Sequence, residues 1–128
     1  MISNSLILNK AFFGKGNCLK LTLNRQKECY MQWGMKINEK YEWHKIKFSD
    51  IELGQICDVL EGRKDQVAFF HSFNGKQRQI WVNKSPDGNG CFFKIKEMNK
   101  GLARGEVVVM KILLQHVIAE MSLSKEGG

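Results

Sequence analysis

The feature that most constrains this chain is a change in the period of its apolar residues. Over the first 48 residues that period is two. In Cys18-Leu19-Lys20-Leu21-Thr22-Leu23-Asn24 the leucines fall on one side and Lys20, Thr22 and Asn24 on the other, as alternating side chains of an extended strand must. Met31-Gln32-Trp33-Gly34-Met35-Lys36-Ile37 repeats the pattern, with Met31, Trp33, Met35 and Ile37 together. Ser5–Phe13 and Tyr41–Phe48 read as two further strands. Gly14-Lys15-Gly16-Asn17, Arg25–Glu28 and Asn38-Glu39-Lys40 supply the connections. Four strands on such short connections predict an antiparallel meander, apolar on one face and polar and basic on the other.

The period then becomes helical. Ser49-Asp50-Ile51-Glu52 has the form of a capping box, in which the serine hydroxyl and the glutamate carboxylate each accept a backbone N–H at the helix start. Leu53, Ile56, Cys57 and Leu60 follow at helical spacing, Gly62 is placed to cap, and Arg63 and Lys64 stand at the negative end of the dipole. The spacing predicts a helix over 50–61. Beyond it, Gln66–Phe73 and Gln77–Lys84 flank the hairpin signal Asn74-Gly75. Ser85-Pro86-Asp87-Gly88-Asn89-Gly90 marks a second turn and Cys91–Met98 a third strand. Leu102–Met121 reads as a terminal helix whose apolar residues wrap beyond one stripe. Such a helix needs more cover than one sheet offers. Val108, Ile112, Leu113 and Val117 are therefore expected at an interface between copies of the chain.

The predicted fold class is α+β: two antiparallel β-sheets, a short helix between them and a long apolar C-terminal helix. At 128 residues this is one domain, with an ordered core over about 5–122. No run of about eighteen apolar residues occurs, so no membrane span is expected. Met1-Ile2-Ser3-Asn4-Ser5 shows no signal or transit features, and the expectation is a soluble, intracellular protein.

Twenty Lys and Arg against thirteen Asp and Glu leave a net charge of +7. The excess is uneven. Residues 1–48 carry nine basic and three acidic side chains, residues 49–65 two and five, and the remainder nine and five. Such patchiness suggests a polyanionic partner, nucleic acid before anionic membrane. Cys18, Cys29, Cys57 and Cys91 lie at wide, irregular spacings, which fits reduced, mostly buried thiols better than a zinc site or a disulfide framework. His44, His71 and His116 lack a Cys, Ser or carboxylate partner at motif spacing, and His71 reads as structural. Asp87-Gly88-Asn89-Gly90 lacks the carboxylates of a calcium loop, and Gly14-Lys15-Gly16 is no P-loop. No enzyme activity, metal or cofactor is expected.

Three blocks carry a family resemblance. The run from Trp43 through Lys45-Ile46-Lys47-Phe48-Ser49-Asp50-Ile51-Glu52-Leu53-Gly54-Gln55-Ile56 resembles the Whirly family. So do Phe69-Phe70-His71 and Pro86-Asp87-Gly88-Asn89-Gly90-Cys91-Phe92-Phe93. The likeness extends over roughly 30–121. It implies a single-stranded DNA-binding protein of little sequence preference, in which cyclic tetramers are favoured over dimers. It also implies two roughly perpendicular sheets with the helices gathered at the centre. Two departures stand out. The family's Lys-Gly-Lys signature is replaced by Gly14-Lys15-Gly16 out of register, and Met98 to Leu102 leaves little room for an eighth strand and its loop. Guide-RNA-binding proteins and a dimeric transcriptional coactivator share the plan, so RNA stays open as a partner.

Binding a single strand without sequence preference needs cations that track phosphates and flat side chains on which bases stack. Alternation offers Lys20 and Lys36 from the first sheet. From the second it offers Phe92, Lys94 and Lys96 on one strand face, and Gln77, Gln79, Trp81 and Asn83 on another, with Lys76 and Arg78 near the hairpin tip. Trp33, among methionines, reads as core; Tyr30 and Phe12 fit either role. The leading expectation is single-stranded DNA binding in DNA maintenance or transcription. RNA binding or annealing is the second, and a protein-interaction adaptor using the C-terminal helix is the third.

Overall fold

The computed structural model describes residues 6–73 and 75–123. Its elements run β1 (Leu6–Phe13), β2 (Asn17–Asn24), β3 (Cys29–Ile37), β4 (Lys40–Phe48), α1 (Asp50–Leu60), β5 (Gln66–Phe73), β6 (Lys76–Lys84), β7 (Cys91–Ile95), β8 (Met98–Leu102) and α2 (Arg104–Leu123). The strands form two four-stranded meanders, β1-β2-β3-β4 and β5-β6-β7-β8, antiparallel throughout. The predicted two-sheet, two-helix plan is the one observed.

Local chemistry accounts for the connections. β3 turns into β4 at Asn38 and Glu39, which hold left-handed φ values of 52° and 73°, the backbone of a tight hairpin. At the start of α1 the Ser49 hydroxyl accepts the Glu52 N–H at 3.2 Å while a Glu52 carboxylate oxygen accepts the Ser49 N–H at 2.9 Å. Gly62, at φ +81°, follows the last turn and donates to the Val59 carbonyl. Arg63 then pairs with Asp58 and Glu61. Of the predicted Asn74-Gly75 turn, Gly75 takes φ +75°, while Asn74 lies outside the described residues.

The inward faces of the two sheets meet in one core. Leu19, Leu21 and Leu23 of β2 join Met31 and Trp33 of β3 and Phe48 of β4, against Ile80, Val82, Phe93 and Ile95 of the second sheet. β8 packs on β2 and β3, and the Trp33 indole N–H donates to the Phe93 carbonyl at 3.0 Å across the seam. The helices close the remaining side, α1 against α2, β5 and β6, and α2 also against β8. Lys27 ties the β2–β3 connection to Glu120 of α2 at 2.6 Å. The four cysteines are unpaired and buried, and burial pushes the Cys29 thiol up to about 12 and that of Cys57 up to about 11. Both thus stay as inert thiols.

Three expectations need correction. The predicted strand Cys91–Met98 ends at Ile95, because Lys96 takes φ +53° and reverses the chain, and Met98 begins the next strand. The eighth strand for which there was little room is the five-residue β8 itself, since a turn this tight needs almost no loop. The third concerns Val117, expected at an interface. It is fully buried within the protomer with Met110 and Leu114, one helical stripe of α2. Val108 and Ile112 are exposed and Leu113 half-buried. No helix among the described residues is long and apolar enough to cross a membrane.

Trp33→Phe keeps a ring in the core but removes the indole N–H that donates to the Phe93 carbonyl. It should cost about 1–3 kcal/mol in urea unfolding, and an unchanged midpoint would contradict a structural role for that bond.

Candidate nucleic-acid interface

Once the inward faces are buried, each sheet still presents an outward one. On the first sheet, cross-strand pairing sets Lys20 beside Gln32 and Gln32 beside Lys45; Tyr30 pairs with Lys47, Gly34 with Trp43, and Lys36 with Tyr41. All these side chains share the outward face. The Trp43 ring lies over Gly34, so close that a Cβ there would meet the ring at 2.6 Å. Tyr41 stacks beside it with centroids 5.7 Å apart and planes 24° from parallel. Lys20 holds its ammonium 5.1 Å from the Trp43 ring and Lys45 holds its own 4.4 Å from the Tyr30 ring.

Charge on this face is mostly uncompensated. Lys47 pairs with Glu28 at 3.2 Å. The Asn24 amide, with Lys47 beside it, keeps the Glu28 carboxyl below the usual carboxylate range. Lys20, Lys36 and Lys45 form no ion pair among the described residues. The arrangement is three aromatic rings set among ammonium groups, the two ingredients that a single-stranded polyanion requires.

The second sheet repeats the design with fewer cations. Phe70 lies opposite Gln79, Trp81 opposite Lys94, Asn83 opposite Phe92, and Phe92 opposite Gly101. The Phe92 ring crosses Gly101 much as Trp43 crosses Gly34, with a Cβ there only 3.0 Å from the ring. Lys94 reaches to 5.7 Å from the Trp81 ring. Phe70 is 63% exposed.

The sequence-derived candidates divide accordingly. Lys20 and Lys36 share the first outward face, and Gln77, Gln79, Trp81, Asn83, Phe92 and Lys94 share the second. Lys76 and Arg78 do not join them: alternation along β6 puts them on the side of buried Ile80 and Val82. Lys96 occupies the β7–β8 turn and not a strand face. Trp33 is core, 1% exposed, and Phe12 is buried as well. Residues missed were Tyr41, Trp43, Lys45 and Gln32 on the first face and Phe70 on the second, while Tyr30 resolves to the outward side. Their signal was the pairing register, readable once the Asn38-Glu39 turn is taken as a two-residue hairpin. His71 bonds Glu52 at 2.8 Å, anchoring β5 to the start of α1. No cluster of three or more metal-ligating side chains occurs among the described residues.

Comparison with protein-family models and with curated protein sequences finds no match. Solved structures do match. WHY3 from Arabidopsis thaliana aligns with a TM-score of 0.75 at 15% identity, over 94% of this chain and 92% of that one. WHY1 from the same plant aligns with a TM-score of 0.73 at 15% identity, over 94% and 93%. The chain has the Whirly fold. A structure described as a guide-RNA-binding protein complex bound to a gRNA aligns less closely, with a TM-score of 0.56 at 14% identity, over 92% of this chain and 95% of that one. At these identities the likeness is one of Whirly architecture, so the chemistry must be argued from this chain's own faces.

Gly34→Ala should lift the Trp43 ring off the sheet. The expected readout is a shift in tryptophan emission and weaker oligonucleotide binding with little change in unfolding midpoint. Binding and emission identical to the parent would mean that the ring is not seated on Gly34.

Proposed function

We propose that this protein binds single-stranded DNA with little sequence preference, chiefly on the outward face of the first sheet. The observation that carries the reading is the set of outward rings, exposed Tyr41 and Trp43 and half-buried Tyr30, interleaved with Lys20, Lys36 and Lys45. Lysines capture the phosphates and release counterions, then unpaired bases stack on the rings. Duplex DNA hides its base faces inside the helix and can use only the first of these. Gln32, beside Lys20 and Lys45, can hydrogen-bond bases of any identity. The outward face of the second sheet, with Phe70, Trp81, Phe92 and Lys94, offers a second contact surface. The likeness to a gRNA-bound complex supports RNA as the alternative strand.

Self-association belongs to the same reading. Val108, Val109 and Ile112 form an exposed apolar stripe on α2, with Ile112 57% exposed. A second copy covering that stripe would remove apolar surface from water and set several outward faces on one assembly. A tetramer agrees with the Whirly resemblance. Val109→Glu with Ile112→Glu should reduce the mass found by light scattering to one protomer of 14.8 kDa. An assembly unaffected by both charges would place the interface elsewhere.

Trp43→Ala should weaken binding of a labelled oligonucleotide by about 1–3 kcal/mol if a base stacks there. Lys20→Gln with Lys45→Gln should weaken it and flatten its salt dependence. Unchanged affinity in folded Trp43→Ala would move the platform to the second sheet, where Trp81→Ala must then produce the loss. No loss in either variant would contradict stacking altogether.

A further inference from the structure

β4 is an edge strand, and a groove of about 550 Å³ runs over it from the outward face into the space beside the second sheet. Tyr30, Trp43 and Lys45 line its outer part, and His44, His71 and Arg78 its inner part. Arg78 is the unusual member. It is half-buried on the inward side of β6, and no hydrogen bond or ion pair holds its guanidinium among the described residues. Its cross-strand neighbour His71 already uses Nε2 on Glu52. A cation drawn partly out of water without a counter-charge is costly, and an anion in the groove would relieve that cost.

We propose that this groove takes one nucleotide of a bound single strand, turned over the β4 edge with its phosphate on Arg78 and Lys45 and its base against Trp43. The inference rests on the strand-binding reading above. The occupant is part of a strand because Tyr30 and Trp43 belong both to the groove and to the outward face, so a strand on that face continues directly into it. A base paired in a duplex cannot make the turn.

His44 reports on the occupant. Glu42 lies 4.0 Å away on its own strand, and Arg78, Lys96 and Glu97 face it from β6 and the β7–β8 turn. Burial, then Arg78 and Lys96, hold the imidazole below its ordinary pKa, so it is neutral at pH 7. A phosphate on Arg78 opposes that repulsion and raises the imidazole's pKa in the complex. Affinity is then weakest above the pKa of the complex, rises as pH falls through it, and levels off below the pKa of the free protein.

The test follows the His44 imidazole resonances through a pH titration of the whole protein, alone, with a short oligothymidylate, and with thymidine monophosphate. The oligonucleotide should raise the His44 midpoint, and its Kd should fall about 3–10-fold between about pH 8 and pH 5.5. His44→Gln should flatten that slope, and Arg78→Gln should weaken binding while raising the midpoint of the free protein. A His44 midpoint unmoved by a saturating oligonucleotide overturns the proposal and leaves the outward-face reading standing. Thymidine monophosphate acting as strongly as the strand overturns it in favour of a free-nucleotide site. If the oligonucleotide does not bind at low salt, strand binding fails and the groove assignment fails with it.

Discussion

The bond from the Trp33 indole to the Phe93 carbonyl joins the two sheets at their seam. A tryptophan is buried to 1% exposure only where its N–H finds an acceptor, and here the acceptor is backbone of the opposite sheet. That requirement fixes where β3 crosses β7, and so which side of each meander faces inward. The leucines of β2, together with Ile80, Val82 and Ile95, fill the seam, and α1 and α2 seal its open side. Even Lys100 is drawn in. It lies on the inward side of β8 at 5% exposure, with its ammonium on the Gly101 carbonyl at 2.8 Å.

With the core complete, the outward faces are free of packing duties, and their composition departs from that of a merely solvated sheet. Trp43 and Phe92 each lie across a glycine of the neighbouring strand. A side chain in place of either glycine would push the ring away. Flattened this way, a ring shows its π-face to solvent and loses rotameric freedom before any ligand arrives. Preorganisation of that kind lowers the entropic cost of stacking a base. Lys20, Lys45 and Lys94 are held on Trp43, Tyr30 and Trp81 by cation–π contacts, worth about 0.5–1 kcal/mol at exposed sites and weak enough for a phosphate to redirect them.

Much of this was legible in the residues. Period-two runs located the strands to within a few residues, with Gln66–Phe73 matched at both ends, and the Ser49–Glu52 box marked the start of α1. What stayed hidden has physical causes. The Lys96-Glu97 turn carries no glycine, proline or asparagine, so the strand reads on through it to Met98 and β8 goes unseen. Tyr41–Phe48 alternates less cleanly because its inward side holds Glu42 and His44 at the open end and turns apolar only at Ile46 and Phe48. Alternation divides a strand into two faces without saying which is buried, and this hid Trp43. Arg78 and Lys76 were grouped by nearness to a turn, although their parity with Ile80 and Val82 already placed them inward. Val117 was counted with the exposed apolar residues of α2 because a helix apolar over most of its surface does not reveal which stripe its own sheets will cover.

Charge follows the same division. The acidic segment forms α1 and its flanks, on the side where α2 and β5 pack, while the first meander carries Lys20, Lys36, Lys45 and Lys47 outward. The central claim is that unpaired bases, and not phosphates alone, are recognised. The direct test is fluorescence anisotropy of a labelled ~30-mer as single-stranded DNA, as duplex and as RNA, across a salt series. Salt-sensitive binding of single strands that persists where duplex binding has vanished is the predicted result. Equal affinity for duplex and single strand at every salt concentration, or binding to neither, would contradict it.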